Sequence, residues 1–356
     1  MLIEEQALRR VIQAIIQATG SEAAEAVTVT DHLVRANLAG HDSHGVGMVP
    51  TYVDHFHKGS LKPNTAARLV TDSGAMLLYE GDRGYGQRVA MEAMAAAIQR
   101  CRDTGLTLLA LRNAHHIGRV GTYGEMAIEA GLVSLHFVNV TDHDPLVAPY
   151  AGSDARFGTN PVCLAMPGTA NTESVLLDMA TSKVALGKIR VARNKGEQAP
   201  EGTLIDHHGQ PTRDPNVMYE PPKGALRAFG DYKGYGMALF AEIFAGILTG
   251  GGTIQPENPR RDSIVNHMLT VVIDPARLVE REWLTAEFDA LIRFAKDSPA
   301  ADPAQPVLVA GDPERLAAAR RRVEGLSIDD TTWGQIVAAA GRVGIDEAAV
   351  AALQAG

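Results

Sequence analysis

Cysteine is scarce in this 356-residue chain, which has only two. Two thiols cannot build a disulfide framework or a cysteine-based zinc site, so Cys101 and Cys163 are expected to be small core residues. The most apolar window, residues 237–248, contains Glu242 and is too short to cross a bilayer. The amino-terminal sequence MLIEEQALRR carries acidic residues where a signal peptide requires positive charge. These features predict a cytoplasmic protein without a membrane span.

Phosphate-binding motifs of the common kinds are also missing. The segments GVGMVP, GYGQRV and GYGMAL each lack the final glycine of G-x-G-x-x-G, and no G-x-x-x-x-G-K-[ST] occurs. The usual Rossmann and P-loop sites therefore have no support. Basic residues are outnumbered, with 33 Lys and Arg against 42 Asp and Glu and a formal net charge of −9. This balance argues against a nucleic-acid partner, because no Lys/Arg-dominated face offsets it.

Helical patterns occupy both ends of the chain, and β-rich runs occupy its middle. Residues 4–17, 21–40 and 314–323, and the segment after Asp330, have the spacing and end signals of helices. Short β-rich runs between residues 67 and 273, among them 107–111, 133–140 and 267–273, alternate with helical stretches, which indicates helices packed on a sheet. Residues 200–222, rich in Gly, Pro and Asp, are expected to form a long surface loop. We expect a helical domain of residues 1–70 with 305–356 and an α+β domain of residues 71–304.

Five short segments carry residue types that are suited to chemistry. They are SHG at 43–45, HHIG at 115–118, GTNP at 158–161, DMATS at 178–182 with Lys188, and DYKGYG at 231–236. A histidine at the end of a strand is well placed for proton transfer, and the hydroxyls and lysines suit ribose or phosphate. Each segment also has an ordinary explanation as a turn, a loop histidine or a solvated lysine. Adjacent histidines point to different sides, which disfavours a metal chelate at 115–116.

The order of these segments, followed by VLVAGDPE at 307–314, resembles the malate/L-lactate dehydrogenase type 2 family over nearly the whole chain. The stretches AGHDSHGVGM, HHIGRVG and RFGTNP are most similar to its hydroxycarboxylate dehydrogenase B branch. The resemblance implies a homodimeric α+β protein that is not a Rossmann fold and binds NAD or NADP on a mixed, largely antiparallel sheet, without a metal. It also implies reversible hydride transfer between the nicotinamide and a 2-oxo acid, which gives a 2-hydroxy acid.

The same resemblance implies roles for individual residues. His116 would donate the proton to the carbonyl oxygen, or a relay of Ser43, His44 and Asp178 would do so. Both arrangements stay open here; we favour His116, because an ordinary histidine exchanges protons at neutral pH. The implied cofactor contacts are His44, Gly118, Arg119, Val120, Thr159, Asn160, Asp178, Met179, Ala180, Thr181, Ser182, Lys188, Lys233, Gly311 and Asp312. The implied substrate contacts are Met48, Tyr52, Arg119 and Thr141.

Met48 departs from several relatives, which place an arginine four residues after the SHG histidine. The substrate carboxylate then needs another cation, such as Arg119 or Arg156, and an apolar Met48 suits a bulkier or aromatic substrate side chain. Asp142 and Asp144 are expected to disfavour a second carboxylate, and so malate, unless a cation intervenes.

Cofactor choice and reaction class also leave alternatives. A 2′-phosphate requires a nearby Arg or Lys, and Arg190, Arg193 and Lys195 follow the DMATS segment. These residues would equally form a solvated helix face, and we favour NAD. A reductase of a cyclic imino acid such as piperideine-2-carboxylate is the second hypothesis. A non-catalytic binding protein is the third, although such a protein would not need Ser43 and His116.

Overall fold

The computed structural model describes the backbone of residues 1–356 and all side chains except those of Asn194 and Lys195. The helices are α1 (Glu5–Ala18), α2 (Ala23–Leu38), α3 (Val49–His57), α4 (Gly86–Thr104), α5 (Gly121–Glu129), α6 (Leu186–Lys195), α7 (Tyr232–Ala241), α8 (Arg281–Lys296), α9 (Asp312–Glu324), α10 (Asp330–Arg342) and α11 (Glu347–Ala355). The strands are β1 (Leu2–Ile3), β2 (Arg68–Ser73), β3 (Met76–Glu80), β4 (Leu106–His115), β5 (Val133–Thr141), β6 (Val162–Met166), β7 (Val175–Met179), β8 (Leu204–Ile205), β9 (Pro211–Thr212), β10 (Ala225–Leu226), β11 (Val265–Ile273) and β12 (Leu326–Ser327). Helix α7 continues as a π-helical turn, Glu242–Ile247.

The two ends of the chain share one apolar core. In α1, Leu8, Ile12 and Ile15 recur at helical spacing and are fully buried. They belong to the same cluster as Ile336 of α10 and Val350 of α11. β1 pairs antiparallel with β12, which ties the ends together. The division into domains at residues 70 and 304 stays a prediction.

A seven-stranded mixed sheet forms the centre of the molecule, with the strand order β2-β3-β4-β11-β5-β6-β7. β3 and β4 run parallel, and the other neighbouring strands are antiparallel. Helices α4 and α5 pack on this sheet, and Met94, Tyr123 and Leu109 are buried between them. The prediction of a mixed sheet with packed helices is confirmed.

Residues 200–222 are not only a surface loop, and that expectation was wrong. β8, β9 and β10 pair as a small antiparallel sheet. Leu204, Met218 and Leu226 are buried with Ile189 of α6 in a separate core. Strands of two residues are too short to show alternation, so this sheet has no periodic signal in the sequence.

One end of the seven-stranded sheet gathers the segments singled out above. His115 at the end of β4 and Thr141 at the end of β5 both pair with Val265 at the start of β11. Met179 at the end of β7 lies beside Val162 at the start of β6. Antiparallel pairing sets the end of one strand beside the start of the next. The HHIG, GTNP and DMATS segments, which are distant in sequence, therefore meet at this end of the sheet.

Candidate active site

The SHG segment is held by α2. It forms two short 3₁₀ turns, Asp42–His44 and Val46–Met48. Asn37 Nδ2 donates to Asp42 Oδ1 at 2.7 Å, and Asn37 Oδ1 accepts from the backbone N of Val46 at 2.8 Å. A Cβ at Gly45 would collide with the Asn37 side chain, so glycine alone permits this approach. The turn is thereby fixed with His44 beside His116.

His116 is the central member of a buried hydrogen-bond chain. Its Nδ1 lies 2.6 Å from the Tyr52 hydroxyl, to which Gln87 Nε2 donates, also at 2.6 Å. Since the hydroxyl accepts from Gln87, its own proton is free to go to Nδ1, which leaves the proton of a neutral His116 ring on Nε2. His116 Nε2 lies 3.3 Å from His44 Nδ1. The arrangement thus selects one tautomer of His116.

Burial keeps both histidines neutral at pH 7. Burial lowers the pKa of His44 to about 4, although the Asp178 carboxylate offsets part of the effect. Burial, followed by the charges of His44 and His115, holds the pKa of His116 well below its ordinary value of 6.5. Burial also raises the pKa of the Tyr52 hydroxyl, which stays protonated. The resting site therefore presents uncharged imidazoles.

The turn at residues 118–121 joins β4 to α5 and is fixed from two sides. Arg119 N donates to His32 Nε2 at 2.9 Å, and Gly121 N donates to Asp178 Oδ2 at 2.8 Å. Gly118 has a φ of +73°, which favours glycine, and a Cβ there would lie 2.5 Å from His32 Nε2. Asp178 therefore both anchors this turn and acts electrostatically on His44.

A cavity of about 420 Å³ opens beside His116. Ser43, His44 and His116 line one part of it. The apolar part is lined by Met48, Val138, Val140, Leu146, Leu186 and Ile264. This volume and lining are typical of a site for small organic ligands that are oriented by a few polar groups.

The predicted site residues divide into those that line the cavity and those that do not. The lining members are Ser43, His44, Met48, His116, Gly118, Val120, Thr159 and Ala180. Tyr52 lies behind His116, and the Thr141 hydroxyl contacts Val265 O and His267 Nε2 instead. The Arg119 guanidinium pairs with Glu125 at 2.6 Å and does not line the cavity. Of the four implied substrate residues, Met48 alone faces the cavity among the side chains described.

Several of the implied cofactor residues have structural partners. Asn160 Nδ2 donates to Glu242, and the Thr181 hydroxyl donates to Thr159 O. The Ser182 hydroxyl donates to Val184 O. Met179, the residue after Asp178, is half-buried at the end of β7.

The remaining implied cofactor residues lie farther out. Asp312 is held by Lys296 and Arg315. Lys233 is exposed at the start of α7 and does not line the cavity. Arg156, which was considered for the substrate carboxylate, is also exposed and is paired with Asp154. These positions do not converge on His116.

A second pocket and a groove are also lined by residues that the sequence singled out. A pocket of about 410 Å³ is lined by Arg119, Glu125, Leu176, Gly311 and Glu314, among others. A groove of about 560 Å³, which contains Lys188, shares Ser43, Ala185, Gly187 and Arg190 with the cavity. The first pocket reaches the predicted Gly311, and the groove reaches the predicted Lys188.

The sequence did not point to two residues of this site. Gln87 lies near the start of α4, and Asn266 lies in β11, where its Oδ1 accepts from Ile117 N at 2.9 Å. Asn266 also lines the cavity. Neither belongs to a local motif, and their contacts span 35 and 149 residues of sequence. Only the tertiary structure reveals them.

The repulsion that Asp142 and Asp144 would exert on a second carboxylate is not present in the cavity, because cations intervene at both residues. Asp142 is paired with Arg83 at 2.7 Å, and Asp144 lies within 3.4 Å of Arg260. Neither carboxylate lines the cavity. Neighbouring arginines therefore neutralise both charges.

The two cysteines are core residues, and the described residues contain neither a metal cluster nor a membrane-spanning helix. Cys101 and Cys163 are unpaired and buried in the sheet core, as predicted. Across the residues described, no three His, Cys, Asp or Glu side chains group in a way that would hold a metal ion. The helices of that same part are all too short or too polar to span a membrane.

Comparison with known proteins agrees with the motifs. A family model described as malate/L-lactate dehydrogenase matches residues 3–337. The chain is 43% identical to hydroxycarboxylate dehydrogenase B of Escherichia coli K12, over 97% of this chain and 95% of that protein. It is 39% identical to an L-lactate dehydrogenase of Cupriavidus necator, over 94% and 95% of the two chains. A solved malate/lactate dehydrogenase structure from E. coli aligns with a TM-score of 0.95 at 42% identity, covering 99% of this chain and 98% of that one. The chain therefore belongs to the malate/L-lactate dehydrogenase family.

Proposed function

We propose that this protein transfers a hydride between NAD(P) and a 2-oxo acid/2-hydroxy acid pair. As a member of its family it is an oxidoreductase that acts on 2-hydroxy acids. His116 carries the proposal, because Tyr52 holds its ring at the wall of a largely apolar cavity, where Nε2 lies beside His44 and can be reached by a ligand. A substrate carbonyl in that cavity would meet a group able to donate and accept a proton.

The surroundings of the 118–121 turn fit a dinucleotide. Both the cavity and the pocket at Gly311 adjoin this turn, and their volumes suit the two halves of such a ligand. Arg119 Nε and Nη2 are buried without a hydrogen-bond partner among the described residues, so oxygen atoms of a ligand would satisfy them. His44, Val120 and Thr159 would then hold the nicotinamide. When bound, that ring supplies or accepts the hydride.

His116 performs the proton transfer. A substrate carboxylate in the cavity favours the protonated form of a nearby histidine, because opposite charge raises its pKa. In reduction, protonated His116 donates from Nε2 to the carbonyl oxygen; in oxidation, the neutral ring accepts the hydroxyl proton. The Tyr52 hydroxyl can accept from a protonated Nδ1 or donate to an unprotonated one, so it keeps the ring oriented in both states. His44 lies close enough to orient the carbonyl group.

Charge pairing at the Gly311 pocket favours NAD over NADP, because three of its four arginines are paired and only Arg322 has no partner among the described residues. Arg35 and Arg119 are both paired with Glu125, and Arg315 is paired with Asp312. Glu314 also lines the pocket and would oppose a 2′-phosphate. Arg193, one of the residues considered for that phosphate, is paired with Glu220, and the side chain of Lys195 lies outside the described part. A cytoplasmic location stays a prediction.

A panel of acceptors tests the proposed function. Purified protein is offered NADH or NADPH with pyruvate, oxaloacetate, 2-oxoglutarate, phenylpyruvate or a cyclic imino acid, and the nicotinamide absorbance is followed. We expect turnover of a 2-oxo acid, with NADH preferred and a large apolar side chain favoured over a second carboxylate. Turnover of the imine alone would support the imino acid reductase instead. Cofactor binding without any turnover would contradict both.

The proposed enzyme is a homodimer, and α7 offers the surface for the second copy. Phe240 and Ile247 are more than half exposed, next to exposed Tyr232, Leu239 and Leu248. A contiguous apolar face of this kind is unusual on a monomer. We expect Phe240→Asp combined with Ile247→Asp to convert a dimer into a monomer by light scattering.

The matched control for the dimer surface is Val323→Asp on α9, since Val323 is equally apolar and more exposed but lies on another element. It should leave the mass unchanged. A monomeric wild-type protein would contradict this surface. A dimer that persists after Phe240→Asp and Ile247→Asp would contradict it as well.

A further inference from the structure

We propose that Arg190 binds the carboxylate of the substrate, which makes it the residue that selects 2-oxo acids over neutral carbonyl compounds. This inference rests on the proposed function. A carboxylate entering a largely apolar site requires a cationic partner, because an unpaired buried charge is costly. His44 and His116 are neutral in the resting site, and Met48 has no charge. Among the lining side chains that the structure describes, Arg190 is the one Arg or Lys.

The fold places Arg190 next to Met48. Helix α6 packs on the SHG turn, where a Cβ at Gly187 would lie 2.9 Å from Ser43 Cβ. Arg190 follows Gly187 by three residues, so it projects from the same side of α6. Its Nη2 lies 3.8 Å from the position of a Cβ at Gly47. The guanidinium charge therefore lies beside Gly47, the residue before Met48, although it comes from a different element, and Arg190 and Met48 line the same cavity.

Arg190 is available to a ligand. It has no ion pair or side-chain hydrogen bond among the described residues, whereas Arg119 and Arg193 are paired with glutamates. Asp329, an acidic residue of the adjoining groove, already caps α10 by accepting from the backbone N and the hydroxyl of Thr332. Arg190 is half-buried where the cavity meets the groove, so solvent screens it only in part. A planar guanidinium in this position can hold a carboxylate by two hydrogen bonds.

The position of this cation defines a substrate class. A carboxylate bound at Arg190 leaves the substrate side chain among Met48, Val138, Leu186 and Ile264. Those groups favour an apolar or aromatic chain. A second carboxylate would find no second Arg or Lys in the described lining. The substrate is therefore a monocarboxylic 2-oxo acid.

Arg190→Gln tests the assignment, with phenylpyruvate and its methyl ester as probes. We expect the KM for the acid to rise about 10- to 100-fold, as for loss of a charge-assisted hydrogen-bond pair, with kcat changed less than threefold. The preference for the acid over the ester should fall by a similar factor. The dissociation constant of NADH should not change. Arg190→Lys, which keeps the charge without the fork, should give an intermediate KM.

Two further variants separate a binding role from a structural one. Arg193→Gln removes a cation three residues away that is paired with Glu220, and it should leave the KM for the acid unchanged. Met48→Arg, made in the Arg190→Gln background, restores a cation to the lining of the cavity. We expect it to recover at least half of the lost preference for the acid over the ester, measured on a logarithmic scale.

The outcomes distinguish this inference from the proposed function. An active wild-type enzyme whose KM and acid preference survive Arg190→Gln would overturn the assignment of Arg190 and leave the function intact. A change in coenzyme affinity without a change in acid preference would likewise overturn it, since Arg190 would then serve a cofactor phosphate. A wild-type protein that reduces no 2-oxo acid would refute the proposed function itself.

Discussion

His116→Ala is expected to lower kcat for reduction of a 2-oxo acid by about 10² to 10⁴, the usual contribution of a positioned general acid. The ring that donates the proton is removed, and no other described side chain in the cavity is held by Tyr52 in the same way. The dissociation constant of NADH should stay within about threefold of its wild-type value, because the 118–121 turn is fixed by His32 and Asp178 rather than by His116. Stopped-flow turnover and NADH fluorescence titration measure the two quantities.

His44→Ala is the informative partner of this variant, since the sequence alone leaves either histidine as the acid. If His116 is the acid and His44 orients the carbonyl, loss of His44 should cost less in kcat than loss of His116. Both variants should retain the wild-type circular dichroism spectrum. A His44→Ala enzyme that is inactive beside a functional His116→Ala enzyme would transfer the role to the Ser43, His44 and Asp178 relay.

A steep loss of stability between pH 6.5 and pH 5.5 is the second large expected effect. Burial lowers the pKa of His32, His136 and His267 to about 3, and that of His44 to about 4. Below pH 6.5 the unfolded chain binds protons at these positions and the folded chain does not, so the free energy of unfolding falls as the pH falls. Each histidine contributes at most about 1.4 kcal/mol per pH unit, or roughly 4 kcal/mol for the four between pH 6.5 and pH 5.5.

Urea unfolding at pH 7.5, 6.5 and 5.5 measures this dependence. His136→Gln is the matched variant, because His136 lies in β5 with hydrogen bonds to Thr270 and Ser134, away from the cavity. It should remove about 1 kcal/mol of the loss between pH 6.5 and pH 5.5 and leave the rest. An unfolding midpoint that is the same at pH 7.5 and pH 5.5 would show that the buried histidines take up protons in the folded state.

Much of the fold was predictable because its helices and longer strands carry local signals. The helices expected at 4–17 and 21–40 are α1 and α2, and glycines 20 and 40 follow their ends. The runs expected at 107–111, 133–140 and 267–273 lie within or nearly fill β4, β5 and β11. The insertion of β11 between β4 and β5 was not predictable, since it depends on pairing between segments that are far apart in sequence.

The site shows the same division. Ser43, His44 and His116 were singled out from short motifs, and the structure brings them to one cavity. The Gln87 and Tyr52 side chains that set the tautomer of His116 lie 35 residues apart in sequence, so no local spacing indicates their contact. Arg190 drew attention only as one of several basic residues, because the polar sequence of α6 does not show which of its sides faces a cavity.

Deuterium transfer tests the central claim most directly. The protein is incubated with phenylpyruvate and NADH that carries deuterium at the transferable position of the nicotinamide, and the product is analysed by mass spectrometry. We expect 2-hydroxy acid with one deuterium on the former carbonyl carbon, and a much slower yield of the same product from His116→Ala. Product without deuterium, or no product while NADH is bound, would contradict hydride transfer in this cavity.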